Sequence, residues 1–130
     1  MARKILVGSS LLLAVLGVGL LFFPEASADI LSLPEESARA LPLIAGGQLG
    51  FAMLNWAGRG AVYGGVYGRP IVVGNFGNAV ITSSVLLRLQ MDDGSATGWL
   101  ALVALLLYLV AFIRLTFWPP FEEDRRARRG

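Results

Sequence analysis

The chain contains no histidine and no cysteine. Without them it lacks the ligands for soft-metal sites, haem held by histidine and iron–sulfur clusters, and it has no thiol chemistry. Charge is scarce too. Charged residues are 15% of the chain and hydrophobic ones 55%, against about 25% charged in ordinary soluble domains. The scarcity is uneven. Residues 5–23, 41–57, 70–87 and 98–113 carry no charge, and after Arg114 the apolar run resumes to Trp118. No Asp or Glu lies inside these segments, where proton-driven transporters usually place an ionisable group. Small multidrug exporters of this size depend on a carboxylate in the first helix, and residues 5–23 have none. Thr82, Ser83 and Ser84 are hydroxyls without a basic partner, so no nucleophile–base pair is positioned for catalysis. An enzyme is not expected, nor is a cofactor or a metal.

What is present is membrane helix. About 20 residues at 1.5 Å each cross the ~30 Å hydrocarbon core. Barrel strands would alternate apolar and polar residues, whereas Leu11–Leu13, Leu20–Phe23 and Leu105–Leu107 are continuous. The reading is an all-α integral membrane protein, an antiparallel four-helix bundle forming a single transmembrane domain. Its spans are about 5–23, 41–57, 70–89 and 98–118, with a short polar C-terminal tail 119–130. The first segment has a rival: Arg3 and Lys4 precede it, and Ala26-Ser27-Ala28 resembles a signal-peptidase site. The run is longer than a usual signal core of ~7–15 residues, so it is read as a retained span, with cleavage after Ala28 as the alternative.

Basic residues set the orientation. With the amino terminus in the cytoplasm, Arg3, Lys4, Arg59, Arg69, Arg114, Arg125, Arg126, Arg128 and Arg129 fall inside, and of the 11 basic residues only Arg39 and Arg88 fall outside. That is a positive-inside pattern. It predicts a multi-pass membrane protein with both termini cytoplasmic. Trp56, Tyr63, Tyr67, Trp118 and Phe121 would mark the inner interface, and Trp99 with Phe22 and Phe23 the outer one. Aromatic rings with polar tips favour that depth.

Pro24 to Ala40 reads as an outer loop. Within it Ser32-Leu33-Pro34-Glu35 has the spacing of a capping box, which predicts a short helix from about Leu33 to Ala40. Gly58 to Arg69 is the cytoplasmic hairpin loop, and Asp92-Asp93-Gly94-Ser95 an outer turn.

The candidate site is a set of neutral polar residues in the two middle spans. Gln48 and Asn55 share a face of the second span, and Asn75, Asn78 and Thr82 share a face of the third. In antiparallel helices Asn55 comes level with Asn75, and Gln48 with Asn78 and Thr82. The preferred reading is interhelical glue, aided by Gly46, Gly47, Gly50, Gly74 and Gly77 packing against a neighbour. The alternative is a polar pocket for a headgroup or small polar ligand. Arg59, Arg69 and Arg114 are read as interfacial cations, Arg114 snorkelling to the headgroups. Partners follow: membrane lipids, and other membrane protein subunits or a second copy. Nucleic acid is not expected, because the basic patch is small and membrane-adjacent.

One resemblance is carried by the order of features. Gly17-Val18-Gly19-Leu20-Leu21-Phe22-Phe23-Pro24-Glu25 is followed by Gly46-Gly47-Gln48-Leu49-Gly50-Phe51-Ala52-Met53-Leu54-Asn55-Trp56, then Tyr67-Gly68-Arg69-Pro70 and Gly74-Asn75. The chain resembles small DoxX-like prokaryotic four-helix membrane proteins. The resemblance implies an antiparallel four-helix bundle in a prokaryotic cytoplasmic (inner) membrane. Some such proteins are associated with quinone-linked oxidoreductases, and most have no assigned activity. It supplies no catalytic residue. The function expected is that of a structural or accessory component of a membrane complex. The rival is a lipid- or small-molecule-binding protein or carrier.

Overall fold

A computed structural model describes residues 2–60 and 68–118. The described residues form α1 (Ala2–Phe22), α2 (Pro24–Ile30), a 3-10 helix (Glu35–Arg39), α3 (Leu41–Gly58), α4 (Gly68–Asp93) and α5 (Ala96–Phe117). No strand is present among them. Most of the hairpin loop and the tail 119–130, with Tyr63, Tyr67 and Phe121, lie outside the described residues.

Three helices, α1, α4 and α5, have the length and composition to cross a membrane. Helix α3 does not join them on those measures. Two amides, a proline and several glycines dilute its Leu, Ile and Phe. Each apolar helix turns large side chains outward as well as inward. Leu11, Val15, Ile81, Leu100 and Val110 are exposed, whereas a soluble protein would bury most of such surface.

Local chemistry explains the breaks. Proline disfavours helical geometry in the residue before it, and Phe23, just before Pro24, sits at φ −131°, ψ 56°. Helix α1 therefore ends and α2 starts afresh, with its proline at a position where no amide hydrogen is needed. Ser27 ties the two together by donating to the Gly19 carbonyl at 3.1 Å.

The segment between α1 and α3 differs from the expected loop. It carries a helix, α2, and the predicted capping box is absent. Ser32 adopts φ 54°. The Leu33 amide reaches the Ala28 carbonyl at 2.8 Å, and the Ser32 amide reaches Asp29 at 3.1 Å. That pair of bonds closes the C-terminus of α2 through a left-handed residue. Ser32 thus ends one helix and does not begin another. The next turn starts later, as a 3-10 helix whose cap position is Pro34 without a side-chain bond. The outer turn is also shorter than expected, since α4 runs through Asp93 and leaves Gly94 and Ser95 between helices.

Helix α1 packs along α3, and α4 along α5. Ser10 donates to the Ala52 carbonyl at 2.8 Å, and a side chain at Gly17 would meet Leu49, so α1 and α3 are antiparallel. Asn75 opposite Tyr108 and Gln90 opposite Gly98 give α4 and α5 the same relation. A shared core of Leu6, Leu13, Ala79, Leu102, Leu105 and Phe112 joins the pairs. These directions collect Arg3, Lys4, Arg59, Arg69 and Arg114 at one end of the bundle. Glu25, Asp29, Glu35, Glu36 and Asp92 lie at the other, with Arg39 and Arg88.

Candidate functional site

The two middle helices meet along a seam whose register is visible in successive contacts. From the basic end inward, Gly58 faces Ile71, Asn55 faces Asn75, Phe51 faces Gly74 and Gln48 faces Asn78. The side chains are placed by helical spacing alone: Gln48 and Asn55 lie on one face of α3, and Asn75 and Asn78 on one face of α4.

Asn55 and Asn75 are both fully buried. Each amide bonds to the other at 2.7 Å, Nδ2 to Oδ1 in both directions. Asn55 Nδ2 also donates to Ser9 Oγ on α1 at 3.0 Å. Asn75 Nδ2 also donates to the Ile71 carbonyl at 2.7 Å. Tyr108 on α5 donates its hydroxyl to Asn75 Oδ1 at 2.6 Å. Ser9 in turn donates its hydroxyl to the Leu6 carbonyl at 3.0 Å. All four amide N–H bonds of the asparagine pair are used. One residue from each of α1, α3, α4 and α5 thus enters a closed network in the bundle interior.

Away from this knot the polar residues are less tightly held. Gln48 and Asn78 also exchange two bonds, but at 3.4 and 3.3 Å, and Asn78 is only half-buried. Thr82 does not join them. Its hydroxyl turns back to the Asn78 carbonyl at 2.7 Å, a common arrangement for threonine in a membrane helix. Ser83, on the buried face, has an Oγ with no partner among the described residues.

The glycines divide. A side chain at Gly74 would touch Phe51 at 3.4 Å, whereas Gly46, Gly47, Gly50 and Gly77 have nothing within 4 Å. The expectation that these four pack against a neighbouring helix is therefore corrected. Gly46 and Gly50 fall on the outward face of α3, opposite the buried stripe Ala45, Gln48, Ala52 and Asn55. The close helix approach comes instead at Gly17, where a Cβ would lie 2.6 Å from Leu49, and at Gly58, 2.7 Å from Ile71.

Of the cations, Arg59 stacks its guanidinium 4.1 Å from the Trp56 ring centre and donates to the Trp56 carbonyl. It covers an end of α3 where carbonyls lack helical partners. Arg69 and Arg114 are exposed, one at the start of α4 and one in the last turn of α5.

A second polar centre sits at the acidic end. Gln90, buried, donates to the Leu31 carbonyl at 3.0 Å and accepts from the Ser95 amide at 3.1 Å. Ser95 and Thr97 both donate to the Ile30 carbonyl, at 2.7 and 2.8 Å. The last carbonyls of α2 are thereby satisfied from the α4–α5 turn, and the short helix is fastened across the bundle end.

Sequence reasoning passed over Ser9, Tyr108 and Gln90. An isolated tyrosine deep in an apolar run was the available signal, because a buried phenol requires a partner. Chemically, the arrangement pairs neutral donors with neutral acceptors. No group of three His, Cys, Asp or Glu side chains comes together among the described residues. No family model, curated protein or solved structure matches the chain.

Proposed function

We propose that this chain is a non-enzymatic four-span protein of a prokaryotic cytoplasmic membrane, serving as a structural or accessory component of a membrane complex. The fourth crossing is α3, which travels with α1 and is sheltered by it on one side. Both termini lie in the cytoplasm, with the basic end of the bundle facing inward.

The observation that carries this reading is the closed network of Ser9, Asn55, Asn75 and Tyr108. Its amide donors are all committed to holding helices, which leaves nothing there to bind or transform a substrate. The outward faces are apolar on every long helix, as surfaces meeting lipid or another membrane subunit must be. The DoxX-like resemblance agrees with a bundle of this size.

Native purification in mild detergent tests the assignment. A partner membrane protein that copurifies in fixed ratio is the expected result. Isolation of the chain alone from its native membrane, under conditions that keep other complexes intact, would overturn it. A second reading, a lipid- or small-molecule-binding protein or carrier, is favoured by one observation: the loose bonding of Gln48 to Asn78, at 3.4 and 3.3 Å.

A further inference from the structure

The network of Ser9, Asn55, Asn75 and Tyr108 fixes the levels of the four long helices against one another. A second set of side chains follows from the same register. Asn75 faces Tyr108, so Arg69, six residues before the first, comes level with Arg114, six after the second. Asn55 faces Ser9, and Gly58 faces Ile71. Arg59 therefore comes within about one turn of the level of Lys4 on one side and of Arg69 on the other. Each long helix thus contributes one cation to a ring, about 6–9 Å along the axis from the polar network.

The surroundings of the ring are those of a headgroup seat. No Asp or Glu lies at this end among the described residues, since Glu25, Asp29, Glu35, Glu36 and Asp92 are all at the other. Lys4, Arg69 and Arg114 are exposed and Arg59 is half-buried, so the charges face the perimeter of the bundle. Arg59 lies over the Trp56 ring at 4.1 Å. Trp56 and Trp118, both exposed, are within about one turn of the ring, and such side chains favour the membrane surface. Inward of Arg59, Arg69 and Arg114, by one to two turns, come exposed Met53, Val73 and Val110. The perimeter is thus cationic at headgroup depth and apolar directly beneath.

We propose that this ring binds anionic phospholipid through the headgroup phosphate, with the acyl chains lying along the apolar surface beneath. The inference goes beyond both readings of function above and rests on the membrane placement that they share. A soluble phosphate would answer the charge and leave the apolar surface unmatched. A zwitterionic lipid carries its own cation beside the phosphate, which the ring repels. Arginine also offers a planar fork that takes two phosphate oxygens together.

The test uses the full chain, so that Glu122, Glu123 and Asp124, outside the described residues, act as they do in the protein. It is reconstituted in vesicles of phosphatidylcholine and phosphatidylglycerol, one of which carries brominated acyl chains that quench tryptophan on contact. With Trp99→Phe, emission comes from Trp56 and Trp118 at the basic end. There phosphatidylglycerol should outcompete phosphatidylcholine about fivefold, the effect of one close basic residue on one headgroup charge. With Trp56→Phe and Trp118→Phe, Trp99 at the acidic end should report no such preference. Arg69→Gln with Arg114→Gln should remove most of the preference. Arg39→Gln with Arg88→Gln takes the same charge from the other end and should keep it. If the first pair fails to fold, Lys4→Gln with Arg69→Gln takes its place. Equal quenching by the two lipids overturns the site, as does a preference that outlasts the ring's cations or is matched at Trp99. Displacement of the brominated lipid by inorganic phosphate, against sodium chloride of equal ionic strength, assigns the ring to a soluble anion and overturns the lipid. A chain that does not float with the vesicles removes the membrane placement and this site with it; one that floats without lipid preference removes only the site.

Discussion

Asn75 accepts two hydrogen bonds and donates two, all inside the bundle. Replacing it with leucine leaves the Tyr108 hydroxyl and half of the Asn55 amide without partners. A stranded buried polar group costs about 1–3 kcal/mol, so Asn75→Leu should destabilise by about 2–4 kcal/mol in detergent unfolding. Asn78→Leu removes two long bonds and strands the buried Gln48 amide, and should cost about 1–2 kcal/mol, less than Asn75→Leu because fewer and longer bonds are lost. Equal losses in the two variants would refute the division into a tightly and a loosely bonded pair. Asn55→Leu with Asn75→Leu should lose less than the sum of the singles, because the two share their bonds. Ser32 supplies a change of opposite sign. It holds φ 54° at the end of α2, where glycine fits without strain. Ser32→Gly should raise stability by about 0.5–1 kcal/mol, the usual scale of such backbone relief; a loss in the same unfolding assay would show the hydroxyl to be needed.

Helices were readable where composition alone decides them. The apolar runs become α1, α4 and α5, and the level of Asn55 with Asn75 and of Gln48 with Asn78 follows from antiparallel counting. The segment between the first two long helices was not readable. Its Ser-x-x-Glu spacing fits a helix start, but the preceding helix, α2, claims Ser32 for its own end. Nor could spacing tell which side of α3 its glycines occupy, since Gly46 and Gly50 suit either lipid or a neighbour. That choice is made by α1, which presents Gly17 to Leu49 and so draws in the opposite face of α3. The consequence is measurable. Gly17→Leu would overlap Leu49 and should destabilise by about 1–3 kcal/mol, the cost of overpacking. Gly50→Leu meets open space and should leave the unfolding temperature of the isolated chain nearly unchanged. If both are equally damaging, the outward face of α3 is covered, as it would be by a second copy or a partner subunit.

Taken as a whole molecule, the bundle is electrically lopsided, and the proposed orientation in a membrane rests on that asymmetry. Arg3, Lys4, Arg59, Arg69 and Arg114 share one end, and five carboxylates occupy the other. Translocating basic residues is disfavoured while acidic ones pass with little penalty, which predicts that the basic end stays inside. Helix α3 is the element on which the topology turns, because its composition alone does not qualify it to cross. Its antiparallel packing on α1 and the burial of both its amides are what the proposed fourth crossing relies on, since they give Gln48 and Asn55 partners that lipid lacks. The absence of cysteine makes the prediction clean to check, since a single introduced thiol is the only one to react. Glu36→Cys, Asp92→Cys, Gly60→Cys and Gly130→Cys, each in an intact cell, should be labelled by a membrane-impermeant maleimide at the first two positions only. Permeabilisation should expose the others. Glu36 and Gly60 flank α3, so labelling of both from outside means that α3 does not cross, and the four-span reading fails. Outside labelling at Gly130 with Gly60 protected breaks the even number of crossings instead, and with it the placement of both termini in the cytoplasm.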